Sequence, residues 1–368
     1  MNFDLTEDEE MLKALAERFV EDHYDIDRRR AYVASDEGFS KANWSLLGEL
    51  GLIAAPFAEE LGGLGLDATA IATVFEALGR GLFVEPLIDN VLVAGRLFAA
   101  TAPEALRDQW LGDILIGGKR LALAHAEAGS RDGSLWVETT ARGEGAEAVL
   151  SGVKTCVVAG AGADGYVVTA RRAGAAGDAE GLGLFFVEAG ASGLVATPWR
   201  MADGSVAARI VLDATPAVAL AGGHAELADG EQLASLARSA EALGIMQRLF
   251  DDTVEYLRTR KQFGTPIGQF QAIQHRMTAQ YAAIEQGRAL LNLAMVSQGG
   301  EGFAAAVAGV RAFLASAGIE LGHEMIQFHG GMGVTDELTI GHGHKRLLVL
   351  SRWPDTPEAA LDRFADAA

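Results

Sequence analysis

A single cysteine, Cys156, stands in a chain of 368 residues, so no disulfide can close within it and no cysteine-rich metal site can be built. Basic residues are also scarce: 30 Lys and Arg face 50 Asp and Glu, a formal net charge of −20. Nucleic-acid binding needs clustered cations to neutralise phosphates, and this balance argues against it. No apolar run reaches the roughly 18 residues of a membrane span, and no signal peptide is read ahead of the first helix. Thr6 and Glu9 instead form a capping-box pattern before an apolar stripe at Leu12, Leu15 and Phe19. These absences set the expectation of a cytoplasmic protein. No Gly-x-Gly-x-x-Gly follows a strand pattern and no Gly-x-Ser-x-Gly occurs, which removes nicotinamide-dependent and serine-hydrolase readings. His329, His342 and His344 have no carboxylate or cysteine at ligand spacing, so no metal is expected.

What is present is a globular composition, 49% hydrophobic and 22% charged, long enough for two or three domains. Residues 1–118 read as an N-terminal α-helical domain, with apolar spacings such as Met11/Leu15/Phe19, Ile71/Val74/Phe75/Leu78 and Leu106/Trp110. Residues 119–218 change to short β-type runs divided by glycine, among them 135–140, 148–150, 155–158 and 210–212, which predicts a small β-barrel. Residues 219–368 return to helical spacing in four segments near 228–262, 268–297, 302–328 and 343–366, a C-terminal four-helix bundle. At about 1.5 Å per residue the first of these is close to 50 Å long, so its apolar stripe needs a bundle or a second subunit to cover it.

The densest information lies at 258–275. An apolar face at Leu243, Met246, Phe250, Val254 and Leu257 leads into Arg260, Lys261, Gln262, Phe263 and Gly264. Gly264 suits a left-handed helix end, Pro266 cannot continue the helix, and Phe270, Ile273, Met277, Ile284 and Leu291 open a second stripe. Arg260 and Lys261 are placed in the last turn of the first helix, where cations complement its dipole. The run resembles the R-x-x-F-G-x-x-I-x-x-F-Q stretch of acyl-CoA dehydrogenases. A second match follows in order at Gln327, Gly330, Gly331, Gly333, Thr335 and Glu337, and Pro56, Glu60, Gly62, Gly63 and Gly65 are similar to the family's P-x-E-x-G-G-x-G.

The resemblance implies a mostly α fold with a central β domain, and FAD-dependent α,β-dehydrogenation of an acyl-CoA substrate with electrons passed to an electron-transfer flavoprotein. It implies FAD contacts from Arg260, Gln262, Phe263, Gln271, Gln327, Gly330 and Gly331, shared across a homodimer, a tetramer or a heteromer with a paralogous subunit. An arginine there offers paired hydrogen bonds to a diphosphate, a geometry lysine does not match. In the barrel, residues 123–132 are similar to the family's A-L-T-E-P-x-x-G-S-D, with Glu127 at the glutamate, but Ala126 replaces the ring-facing threonine and Ala128 the proline. Residues 152–158 match G-x-K-x-W/F-I-T/S, except that Cys156 and Val158 replace its aromatic and hydroxyl residues.

The departure that matters for chemistry concerns the base. Family members remove the α-proton with a glutamate beyond the second motif, and at that spacing this chain has Pro354, with Trp353 before it and Asp355 after it. The alternative family position, near the start of the long helix, is Ala234. Asp355 is the remaining candidate for the catalytic carboxylate, and it suits equally an N-cap for the last helix. A C-terminus of this form resembles the small subunits of heteromeric members, including those acting on pimeloyl-CoA or sterol side chains. Three functions stay open: fatty acid or steroid side-chain dehydrogenation, a non-catalytic or half-site partner subunit, and a flavin-dependent oxidase or monooxygenase.

Overall fold

The computed structural model describes residues 5–130, 135–143 and 145–367. By contacts the chain forms two compact units, one of Met1–Ala31, Asp67–Phe83 and Ser235–Ala368, the other of Tyr32–Leu66 and Val84–Ala234.

The first unit is helical. It holds α1 (Glu7–His23), the start of α2 (Ile26–Ala34), α4 (Ala68–Arg80), most of α7 (His224–Thr259), then α8 (Gln271–Val296), α9 (Phe303–His329), α10 (Thr339–Arg352) and α11 (Pro357–Ala367). The helix α1 starts as expected: the Thr6 hydroxyl accepts from Glu9 N, and the Glu9 carboxylate accepts from Thr6 N at 2.6 Å. Helices α4 and α7 cross at two glycines. A Cβ on Gly79 would lie 2.3 Å from the Glu241 carbonyl oxygen, and one on Gly244 would lie 2.1 Å from that of Glu76, so only glycine allows the backbones to meet there. The expected fourth segment is broken. Pro354 cannot extend α10, and α11 restarts after Thr356, whose hydroxyl, not the Asp355 carboxylate, accepts from Ala359 N as the cap. By length and composition 303–334 would suffice for a membrane span, contrary to the sequence expectation. Its helix α9 nevertheless packs against α8, α10 and α11 and buries Arg311, which marks the central helix of a bundle.

The second unit sets α3 (Lys41–Glu49), a π-helix (Leu87–Gly95) continuing into α5 (Arg96–Thr101), and α6 (Glu104–Leu115) with a closed sheet. Strands β4 (Gly165–Arg171), β2 (Thr140–Arg142), β3 (Glu147–Val158), β7 (Val206–Ala219) and β5 (Leu182–Glu188) pair in that order, and β5 pairs again with β4 to close the barrel. The strand β1 (Leu121–Ala124) runs parallel to the start of β4, and β6 (Leu194–Arg200) lies antiparallel to β7. Leu150, Val157, Tyr166, Val168, Phe185 and Ile210 fill the interior. The sequence runs 148–150 and 155–158 are one strand with irregularities at Leu150/Gly152 and Lys154/Val157. The run at 135–140 is not a strand over most of its length. Arg171 is the reason: its guanidinium donates to the carbonyls of Leu135 and Val137 and to those of Asp178 and Glu180, so a side chain replaces the ladder.

In the helical unit the buried Arg29 guanidinium donates to the Leu82 carbonyl at 2.9 Å and lies 3.0 Å from His342 Nδ1, while His342 Nε2 lies 3.1 Å from the Asp336 carbonyl oxygen. This arrangement suits a neutral ring that accepts at Nδ1 and donates at Nε2. Burial lowers the His342 pKa, the Asp336 carbonyl opposes that, and Arg29 adds to it. A histidine held below its ordinary value of about 6.5 contributes stability that is present above that value and lost as pH falls. Melting temperature should therefore drop between pH 7.5 and 5.5, and the drop should be shallower in His342→Gln; equal slopes in the two proteins would count against this reading.

Candidate functional site

The first motif does not end a helix as its glycine suggests. The helix α7 stops at Thr259, and Lys261–Gln262 pairs with Thr265–Pro266 in a two-residue hairpin whose turn residues Phe263 and Gly264 both have positive φ, 54° and 82°. Such a turn matches the twist of the strands but favours Asn-Gly, so Phe263 sits in a conformation that costs a non-glycine residue roughly 1–2 kcal/mol. Arg260 is thus the first residue beyond α7, its N–H donating to the Tyr256 carbonyl at 2.8 Å, and Lys261 lies in the hairpin rather than in the last helical turn. Phe263 is 93% exposed, and its ring meets Phe270 edge-on at 6.2 Å. Gln262 and Gln271 are exposed as well, the latter opening α8.

The second motif ends α9. Gly330 follows with φ 60° and ψ −138°, a backbone only glycine adopts readily, and its N–H donates to the Gln327 carbonyl. Cβ atoms on Gly264, Gly330 or Gly331 would meet nothing within 4 Å, so packing inside the chain does not demand these glycines. Gln327 and both glycines are exposed. The two motifs come together: the Tyr256 ring, one turn before Arg260, stacks on His329 at 4.3 Å with the planes 23° apart. Arg276, near the start of α8, binds Glu324 through two hydrogen bonds of 2.6 and 2.9 Å and lies over the Phe328 ring. Among the described residues, Arg258, Arg260 and Lys261 have no ion-pair partner, so in a chain of net charge −20 one end of the bundle keeps its cations free. Exposed donors, free cations and an open glycine backbone fit the diphosphate of FAD.

The barrel segments at 125–127 and 152–158 are held by a buried polar network. The Lys154 ammonium, fully buried, donates to Glu127 Oε1 at 2.7 Å, to Thr169 Oγ1 at 3.0 Å and to the His125 carbonyl at 3.2 Å. Glu127 also accepts from Glu138 N, Thr139 N and the Thr139 hydroxyl. Burial lowers the Lys154 pKa to about 8 against the pull of Glu127; burial raises that of Glu127, but Lys154 and the Thr139 hydroxyl hold it below the usual range. Each partner favours the charged form of the other. Thr155 N donates to the Ala126 carbonyl at 2.8 Å, and Ala126 bridges to Cys156, so these two segments are tied together. Arg131 and Asp132 of the first segment lie outside the described residues. The Cys156 thiol is pushed up to about 12 by burial and by the negative charge of Asp89 on the π-helix. Ala126 and Val158 carry no side-chain donor, and Cys156 only a weak thiol.

Asp355 is buried between two arginines. Arg311 Nε lies 3.3 Å from its Oδ1 and Arg363 contacts its Oδ2, while Arg311 also donates to the carbonyls of Leu350, Trp353 and Asp355 itself. Ala234, at the alternative base position, is fully buried. Sequence reasoning missed Arg311, although one arginine inside the apolar α9 run is a signal that a buried counter-charge must exist. It also passed over Tyr256 and Asp89, whose roles depend on residues far along the chain.

Residues 6–118 match the acyl-CoA dehydrogenase N-terminal domain, and residues 232–367 match the acyl-CoA dehydrogenase C-terminal domain. The chain is 29% identical over 367 residues to acyl-CoA dehydrogenase IpdE2 of Mycobacterium tuberculosis, covering 97% of this chain and 96% of that protein. Among solved structures, a variant of the Tcur3481-Tcur3483 steroid ACAD aligns with TM-score 0.87 and 30% identity, over 98% of this chain and 97% of that one. The ChsE4-ChsE5 complex from Mycobacterium tuberculosis aligns with TM-score 0.89 and 25% identity, over 100% and 98%.

Removing one partner of a buried ion pair typically costs about 3–5 kcal/mol. Asp355→Asn should destabilise the chain by that order in chemical denaturation, because Arg311 loses its counter-charge. A loss below about 1 kcal/mol, the scale of an exposed pair, would show that Asp355 does not hold this joint.

Proposed function

This chain belongs to the acyl-CoA dehydrogenase family, whose members are FAD-dependent oxidoreductases, and on that premise we propose that it works as the half-site subunit of a heteromeric enzyme. In this reading its exposed patch at Arg260, Gln262, Phe263, Gln271, Gln327, Gly330 and Gly331 holds the diphosphate side of an FAD whose ring and base belong to a paralogous subunit. The observation that carries it is the Asp355 carboxylate, held by Arg311 and Arg363. Both Asp355 oxygens are occupied by guanidiniums inside the bundle, and the customary positions hold Pro354 and Ala234. The loss of donors at Ala126 and Val158 supports the same division.

When bound, FAD supplies the acceptor for the hydride that leaves the β-carbon as the α-proton is removed. Arg260 would neutralise diphosphate charge, and the Gly330–Gly331 backbone would admit the ligand closely. The electrons are assigned to an electron-transfer flavoprotein. We assign the acyl group to the steroid-derived class from the 30% identity with the steroid ACAD, with straight-chain acyl-CoA as the competing class.

Purified alone, the chain should show no flavin bleaching with any acyl-CoA, and bleaching should appear when the paralogous subunit is added. Bleaching by the isolated chain would overturn the reading. Within the complex, Arg260→Ala should weaken FAD binding roughly tenfold or more, since charge-assisted hydrogen bonds contribute about 1.5–3 kcal/mol each. An unchanged FAD affinity by fluorescence titration would remove Arg260 from the site.

A further inference from the structure

Two flavin segments far apart in the sequence must present their donors at a fixed spacing if one ligand is to use both. Among the described residues, no hydrogen bond or ion pair joins the hairpin at 260–266 to the turn at 327–334. At this end α7 and α9 meet in an aromatic contact. Tyr256 lies in the last turn of α7 and its carbonyl accepts from Arg260 N, while its ring lies nearly parallel to that of His329, the last residue of α9 and the neighbour of Gly330. The His329 ring cannot turn freely. It is 94% removed from solvent, as its 6% exposure states, and its Nδ1 lies 2.9 Å from the Met325 carbonyl one turn back, an acceptor only, so Nδ1 carries the proton.

We propose that Tyr256 and His329 are positioning residues: their stack registers the end of α7 against the end of α9, so that Arg260 and Gln327 act on one FAD as a single surface. The inference rests on the reading that both motifs bind FAD. Neither ring needs to touch the ligand. The stack sets where the Arg260 and Gly330 backbones stand, beside the Arg276–Glu324 pair that ties α8 to α9. A phenyl ring at position 256 would keep the contact, because stacking uses the ring faces and not the phenol hydroxyl.

The test measures FAD affinity and melting temperature of the complex with the paralogous subunit, for Tyr256→Leu, Tyr256→Phe, His329→Gln and Arg260→Ala. Tyr256→Leu and His329→Gln should each weaken FAD roughly three- to tenfold, the range expected for an aromatic pair, while Tyr256→Phe stays near the parent. Combining Tyr256→Leu with His329→Gln should add little to either alone, because the second change removes a partner already lost. If Arg260→Ala weakens FAD but both stack variants bind it within twofold of the parent, the inference falls while the flavin reading stands. If Arg260→Ala has no effect either, the flavin reading itself fails. Should Tyr256→Leu not assemble, His329→Gln against Tyr256→Phe decides, and equal FAD losses in those two would overturn the proposal.

Discussion

Arg311 enters the middle of α9 with a charge that the surrounding helices must answer, and the arrangement of the C-terminal unit follows from how they do so. Its guanidinium is only 2% exposed and satisfies three carbonyls and one carboxylate, drawing the end of α10, the Pro354 break and Asp355 around itself. A buried carboxylate can be left open to a ligand or be occupied by cations, and here both Asp355 oxygens are occupied, by Arg311 and Arg363. At the α10–α11 joint the chain uses its acid, Asp355, to hold Arg311 and Arg363.

The barrel tells the same story from the other side. Lys154 and Glu127, with Thr139 and Thr169, make a closed polar network in which every member has partners, so the strands stay in register. The positions that would meet a flavin ring are changed while this support beneath them is kept. The helix-end patch, in contrast, keeps its arginine, glutamines and glycines exposed, and among the described residues the Arg260, Gln262, Gln271 and Gln327 side chains make no hydrogen bond. A chain that retains the diphosphate half and alters the ring half fits a subunit that completes another's site.

Much of this was legible in the residues. The Thr6–Glu9 capping box and the switch from helical to strand spacing and back rest on local patterns that packing did not override. What the residues hid were effects of long-range partners. Gly264 reads as a helix end, yet α7 stops at Thr259 because Lys261 and Gln262 find strand partners in Thr265 and Pro266. The run at 135–140 has strand composition, but Arg171 takes its carbonyls. Asp355 reads as base or cap, and only the fold shows that α9 carries its counter-ion while Thr356 does the capping.

The claim that one unlike pair of chains builds one flavin site can be tested by counting. FAD released by denaturation of the assembled complex, measured by absorbance against chain concentration, should come to one FAD per pair of unlike chains. Two FAD per pair would mean that the barrel bearing Ala126, Cys156 and Val158 still seats a flavin ring, and would contradict the division of labour drawn here.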